Sequence, residues 1–266
     1  MSSNDSTNSS RMQSKVAVIS GGAQGIGRAI AAVLQREGAC VFIVDSDQAT
    51  GAETAAELSH KNPSLPVHFL PADLRYASEI LKVVSELRKF HDRIDVLVNN
   101  AGIELDKPFE KITSDDWDGV LNVNLRGAFL LTQACVPLFP ESGGAVVNIS
   151  SVHATHAFPD AIPYACSKAG MVALTRNLAL ELGPRRIRVN CICPGYIDTR
   201  LWENYLRSSA DPDTVAQQTT ALHPIGRRGV PTDDGEAVLF LASENASFIT
   251  GADLVVDGGL TVRTHP

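Results

Sequence analysis

The sequence predicts an α/β fold: a single domain built on a doubly wound parallel sheet of about seven strands, with helices on both faces. Three observations carry that expectation. From Val16 onward, short β-branched runs alternate with amphipathic stretches. The runs are apolar almost throughout, as strands covered on both faces should be. A glycine-rich segment, Ser20 to Gly27, joins the first run directly to the first amphipathic stretch.

The first strand is VAVIS (16–20), followed by a helix from Ile26 to Arg36. CVFIVD (40–45) is the second strand, a helical span then reaches His60, and VHFLPAD (67–73) is the third. Further strands are expected at Asp95–Asn99, Gly144–Ile149, Ile187–Ile192 and Asp253–Val256. Between Pro194 and Val230 the pattern breaks into a long mixed segment holding Trp202 and Tyr205. Connections of that length are seldom idle, and open parallel sheets bind ligands beyond their carboxyl ends, so residues 194–230 are expected to form a lid. No internal repeat or second domain is visible. The domain is expected to span 14–266, behind a Ser- and Asn-rich mobile tail, 1–13, that fits neither a signal nor a transit peptide. A cytoplasmic location is expected.

At 266 residues, 44% hydrophobic and 20% charged, the chain suits a globular protein with a large core. A net charge of -7 argues against a nucleic-acid partner, and no stretch reaches the apolar length of a membrane span. The basic pairs Arg185-Arg186 and Arg227-Arg228 are expected to be helix-end or surface charges. Cys40, Cys135, Cys166, Cys191 and Cys193 lack the paired spacing of a zinc site or disulfide framework, so reduced thiols and no metal are expected.

SGGAQGIG (20–27) ends the first strand and opens the first helix. Its glycines allow a tight turn and close backbone approach, and the helix start offers unpaired N–H groups to a pyrophosphate. Gly21, Gln24, Gly25, Ile26 and Gly27 are the candidate contacts, in a G-x-x-x-G-x-G spacing rather than G-x-G-x-x-G. The whole arrangement is that of a Rossmann dinucleotide fold. Asp45 ends the second strand eighteen residues after Gly27, where such a fold places the acid that binds the adenosine ribose. A carboxylate there repels the 2′-phosphate of NADP, and the neighbours Gln24 and Ser46 bring no cation, so NAD is the expected cofactor. The alternative for Asp45 is an N-cap of the next helix. Asp73, followed by Leu74, could bond the adenine amino group or N-cap the helix before Ala77.

Tyr164 and Lys168 in YACSK share a helix face at i, i+4 spacing, with Ser151 thirteen residues earlier. Alone, the pair reads as packing plus a solvated cation. Together with NNAG (99–102), Asn124 in NVNLRG, NISS (148–151), CPGYIDT (193–199) and ITGADLVVDGG (249–259), it resembles the short-chain dehydrogenase/reductase family over about residues 15–261. The one departure in the first motif is Ser20 in place of Thr, which keeps the hydroxyl.

The resemblance implies hydride transfer between a secondary alcohol and a nicotinamide, with Tyr164 as the acid/base. Lys168 lowers the tyrosine pKa and binds the nicotinamide ribose, Ser151 holds the substrate oxygen, and Asn124 anchors a water leading from Lys168 to solvent. Ser150 is the rival for the serine role. Lowering a phenol from about 10 by two to three units requires about 3–4 kcal/mol. A cation about 4 Å away at an effective dielectric of about 20 supplies about 4 kcal/mol, so Lys168 alone is expected to suffice. The resemblance further implies that Asn100 and Gly102 let backbone approach the adenosine half, while Asn99 bonds between strands. Pro194, Gly195, Ile197 and Thr199 would hold the nicotinamide carboxamide. A homotetramer, pairing long catalytic-region helices and the C-terminal strand, is also implied.

Within the family, Glu104 in NNAGIE and the Ser151-Val152-His153 run are similar to glucose 1-dehydrogenase-like sugar dehydrogenases. TRLWE (199–203) is similar to a mammalian sugar-oxidising member first described as a hydroxysteroid dehydrogenase. A sugar needs carboxylate, imidazole and amide partners, so Glu104, His153 and Trp202 join Ser151 and Tyr164 as substrate candidates. Trp202 either stacks on substrate or packs the lid down. The expected function is an NAD-dependent dehydrogenase of a sugar or polyol. The alternatives are a dehydrogenase of a steroid or other apolar alcohol, and a 3-oxoacyl-carrier reductase, whose NADPH Asp45 disfavours. A non-catalytic NAD-binding protein is disfavoured by the intact Asn-Ser-Tyr-Lys set.

Overall fold

Seven strands, β1 (Val16–Ser20), β2 (Cys40–Asp45), β3 (Val67–Pro71), β4 (Val96–Asn99), β5 (Gly144–Ile149), β6 (Ile187–Pro194) and β7 (Asp253–Val256), form one parallel sheet. The computed structural model describes residues 10–263. The strand order is β3-β2-β1-β4-β5-β6-β7, so the winding direction reverses between β1 and β4. That reversal opens a crevice at the carboxyl ends of the two strands.

Both faces of the sheet are covered because successive strand residues point to opposite sides. Ala17, Ile19, Val41 and Ile43 pack with Ile30 and Leu34 of α1 (Gly25–Arg36). Val16, Val18, Phe42 and Val44 face Ile80 and Leu87 of α3 (Ala77–Leu87) instead. Between these helices, α2 (Gln48–Lys61) starts at Asp47, whose Oδ1 accepts from Thr50 N at 3.0 Å. Asp47, not Asp45, is therefore the cap. Thr113 opens α4 (Ser114–Leu121) with a capping box to Asp116. A π-helical turn, Asn122–Gly127, joins α4 to α5 (Ala128–Cys135). The longest helix, α6 (Ile162–Leu182), begins with Pro163, whose missing N–H is harmless in a first turn.

Four expectations need correction. β3 stops at Pro71 and β6 runs on to Pro194. β7 is not covered on both faces: it lies at the sheet edge, with Val255 47% exposed. Residues 1–9 of the expected tail lie outside the described residues, but 10–13 do not behave as a tail. Met12 is 1% exposed and its N–H bonds Glu37 O at 2.8 Å, while Arg11 pairs with the Glu37 carboxylate. The expected lid is helical, holding α7 (Arg200–Ser208) and α8 (Pro212–Ala221). No helix among the described residues is long and apolar enough to cross a membrane.

The last helix, α9 (Pro231–Ala242), packs on α1 so closely that a Cβ at Gly235 would stand 2.9 Å from Val33 Cγ2. Its Asp234 is fully buried, and neither carboxylate oxygen has a partner among the described residues. Burial, then the neighbouring Asp233, pushes this carboxyl from 3.8 up to about 8. The folded chain keeps a proton that the unfolded chain has released, so stability falls as pH rises between about 4 and about 8, and levels above. At about 1.4 kcal/mol per unit, the penalty at pH 7 is on the order of 4 kcal/mol. Asp234→Leu, which keeps the branching, is expected to raise Tm at pH 7 by about 5–10 °C and to flatten its pH dependence. An unchanged or lower Tm at pH 7 and 8 in a thermal melt would contradict this account.

Candidate active site

A cleft of about 800 Å³ crosses the carboxyl ends of the strands from Asp45 and Asp73 to Glu104 and Trp202. Its first half is built on the glycine loop. Gly21 has φ +65, and a Cβ there would meet Ala101 Cα at 2.7 Å. Asn100 ties the loop down, its Nδ2 donating to Ser20 O at 3.1 Å and Gly21 O at 2.8 Å. Ser20 Oγ accepts in turn from Asn100 N and Ala101 N, so the hydroxyl at this position fastens the loop to the end of β4. Gln24 at the start of α1 provides no side-chain cap, which leaves first-turn N–H groups for an anion.

Asp45 accepts from Ala23 N at 3.1 Å and Asp47 N at 3.0 Å, which fixes its carboxylate at the cleft wall beside Ser46 and Asp47. Asp73 does not cap α3, which follows Tyr76. It forms an ion pair with Arg75, and that hydrogen-bonded partner holds its carboxyl below the usual range. Gly25, Ile26, Leu74 and Gly102 also line the cleft. Gly27 does not: it is a packing glycine, where a Cβ would collide with Gly21 O at 2.0 Å.

α6 carries Tyr164 and Lys168 to the second half of the cleft, one turn apart. Lys168 is 4% exposed, its Nζ donating to Ile149 O at 2.8 Å and lying 5.4 Å from the Tyr164 ring centroid. Ser150 donates to Lys168 O at 2.9 Å, so its hydroxyl secures the helix to β5. Ser151 is the serine that acts on the Tyr164 phenol, drawing its pKa down, and its Oγ lies 3.1 Å from His153 Nδ1. Asn124 is fully buried in the π-helical turn and off the cleft. Its Oδ1 accepts from Ile103 N, and its Nδ2 donates to Ile103 O and Ser167 Oγ. The side chain is committed to protein partners on both its donors and clips the strand-end segment to α6, while its Oδ1 and Lys168 Nζ both stand 3.4 Å from the point where a Cβ on Gly102 would lie. Asn99 bridges to Asn148 and Thr132, between strands and onto α5.

The electrostatics run against one expectation. The Tyr164 phenol is lifted above its ordinary range: burial raises it, the Glu104 carboxyl raises it further, and Ser151 pulls it down. Lys168 is itself pushed down to about 8 by burial, with Glu104 drawing it back up. Glu104 is pushed up to about 7 by burial, then by Asp106, with Lys168 opposing. Burial, then Lys168, brings His153 down to about 4, so its ring is neutral near pH 7.

Beyond β6, Pro194, Gly195, Ile197 and Thr199 line the cleft. Thr199 caps α7, its Oγ1 accepting from Trp202 N at 3.5 Å. Trp202 is 7% exposed, flanked by Tyr196 and Tyr205 at 5.5 Å each, with the Arg228 guanidinium 5.0 Å over its ring. Its indole N–H has no partner among the described residues. Trp202 thus packs the lid and also lines the cleft. Arg228 is not a surface charge. It pairs with Asp198 at 2.6 Å and donates to Ala216 O and Thr220 Oγ1 of α8. Asp106, Phe158 and Tyr196 also line the substrate half and were not singled out from sequence. Tyr196 lies inside CPGYIDT, where its place after a strand end was the available signal; Phe158 carried none.

A family model described as enoyl-(acyl carrier protein) reductase matches residues 21–261. The chain is 37% identical over 255 residues to the 3-oxoacyl-[acyl-carrier-protein] reductase FabG of Thermotoga maritima, covering 95% of this chain and 100% of that protein. It is 36% identical over 250 residues to the L-fucose dehydrogenase of Bos taurus, covering 94% and 90%. The solved aldohexose dehydrogenase of Thermoplasma acidophilum superposes with a TM-score of 0.87 at 32% identity, covering 97% and 98%. These names span carrier-bound acyl groups and sugars, and do not single out glucose.

Proposed function

Because this chain belongs to the short-chain dehydrogenase/reductase family and is an oxidoreductase of secondary alcohols or ketones, we propose that it is an NAD-dependent dehydrogenase of a sugar or polyol. The observation that carries the substrate class is Glu104, a carboxyl in the buried cleft wall close enough to Tyr164 and Lys168 to shift both. Such a group accepts the hydroxyls flanking a reacting carbon. The unpartnered Trp202 N–H adds a donor, and Asp106 a second acceptor. NAD is supported by Asp45 with Asp47 beside it; Arg28 is paired with Glu57 and Arg75 with Asp73, while Arg200, the cation that faces this wall, reaches Gln24 at 3.5 Å and bears on Asp47.

A nicotinamide bound across the cleft supplies the hydride acceptor and, when oxidised, a positive charge. The residues that fit it are the glycine loop, Asp45, Lys168, Ile197 and Thr199. Ser151 fixes the substrate oxygen by a hydrogen bond. Tyr164 takes the hydroxyl proton during oxidation and returns it during reduction. Lys168 steadies the phenolate, anchored by Ile149 O so that its charge stays beside the ring. Since burial and Glu104 hold the phenol up, ionisation requires positive charge beyond Lys168. A sugar hydroxyl donated to the Glu104 carboxylate offsets part of that negative charge. The enzyme is read as cytoplasmic and homotetrameric, a state supported by the exposed apolar β7 edge, with Leu254 and Val255 outward.

The test is NADH formation with purified protein against aldoses, polyols, cyclopentanol and a hydroxysteroid. The expected result is highest kcat/KM with an aldose or polyol; no turnover of any sugar or polyol would overturn the substrate reading.

A further inference from the structure

The Ser151 hydroxyl stands between two rings. Its Oγ accepts from His153 backbone N at 3.2 Å, lies 3.1 Å from His153 Nδ1 and acts on the Tyr164 phenol, drawing its pKa down. The imidazole is fixed in place, stacked on Phe158 with centroids 4.0 Å apart and 25° between planes, and edge-on to Tyr164 at 5.2 Å and 84°. A serine hydroxyl has one proton and two lone pairs. The backbone N–H fills one lone pair. If Nδ1 were a bare acceptor, the serine proton would turn toward it and away from the phenol and the substrate oxygen. If Nδ1 carries its proton, the second lone pair is filled and the serine proton has only the reacting side to go to.

We propose that His153 is a positioning residue acting through Ser151: a ring protonated on Nδ1 that donates to Ser151 Oγ and thereby aims the serine proton at the phenol and the substrate oxygen. The inference rests on the reading of Ser151 as the group that holds the substrate oxygen. Burial and Lys168 keep the ring uncharged near neutrality, so it carries a single ring proton, which the hydrogen bond to Ser151 holds on Nδ1. A donor hydrogen bond into Ser151 also makes its remaining O–H a stronger donor. This gives the serine the polarity that the phenol, lifted by burial and Glu104, lacks on its own.

The direct test is a long-range ¹H–¹⁵N spectrum of histidine-labelled protein at pH 7, with the His153 signals assigned by their loss in His153→Phe. A neutral ring protonated at Nδ1 is expected; an Nε2-protonated ring or a cation overturns the proposal. The kinetic test uses cyclopentanol as probe alcohol. His153→Phe keeps an aromatic ring against Phe158 and is expected to lower kcat about 10- to 100-fold with KM within about threefold. His153→Asn, whose amide N–H can reach the Nδ1 position, is expected to recover most of that loss. Equal losses in both variants, or losses confined to KM, mean that the ring only packs. The spectrum requires no turnover. A protein that oxidises no sugar yet shows the Nδ1-protonated ring fails the substrate reading alone.

Discussion

Tyr164→Phe is expected to lower kcat by about 10²- to 10⁴-fold, the range of a positioned acid/base, with NADH affinity within about threefold. The substitution removes one oxygen. The ring keeps its edge contact with His153 and its place under Lys168, so the fold of α6 is not at stake. Steady-state rates and NADH fluorescence titration separate the two effects. Because burial, Glu104 and Ser151 act on the phenol in opposing directions, the wild-type rate of alcohol oxidation should also climb with pH, and that limb should vanish in the variant. Wild-type activity in Tyr164→Phe would end the acid/base assignment and, with it, the mechanism.

Asp45→Ala is expected to change the NADP-to-NAD ratio of kcat/KM by about 10²-fold or more, chiefly by weakening NAD. Two charge-assisted hydrogen bonds to ribose hydroxyls are lost, at about 1.5–3 kcal/mol each. The gain in NADP is expected to be smaller, under about tenfold, because Asp47 stays beside the same wall and because Asp45 also braces the loop through Ala23 N. Adding Asp47→Ser, which keeps an N-cap for α2, should release the rest. A ratio unchanged in the single variant would remove Asp45 from the ribose site.

The strands were legible because buried parallel strands must be apolar on both faces, and β2 and β5 match their sequence limits. What the runs do not carry is lateral position. β7 is as apolar as its neighbours, yet it ends the sheet and is exposed. α7 and α8 were hidden in a polar segment, although Thr199 and Asp211-Pro212 are ordinary start signals. In the site, the spacing of Tyr164, Lys168 and Ser151 gave their convergence, since a shared helix face and a strand end are local facts. The sign of the Tyr164 shift was not local. It depends on burial and on Glu104, sixty residues away in sequence, and no spacing rule reports either. Gly27 was read as a ligand contact and stands as a packing glycine, because motif position names a neighbourhood without saying what a residue touches.

Arg228 has a consequence for how substrate range can change over generations. By joining Asp198, α8 and the Trp202 ring, it makes residues 198–228 a cassette whose internal cohesion comes from its own cation. Tyr164, Lys168 and Ser151 sit elsewhere, on α6 and just past the end of β5. Drift within the cassette, Thr199 aside, can therefore reshape what enters the cleft while leaving those three in place, so long as the arginine and its aspartate travel together.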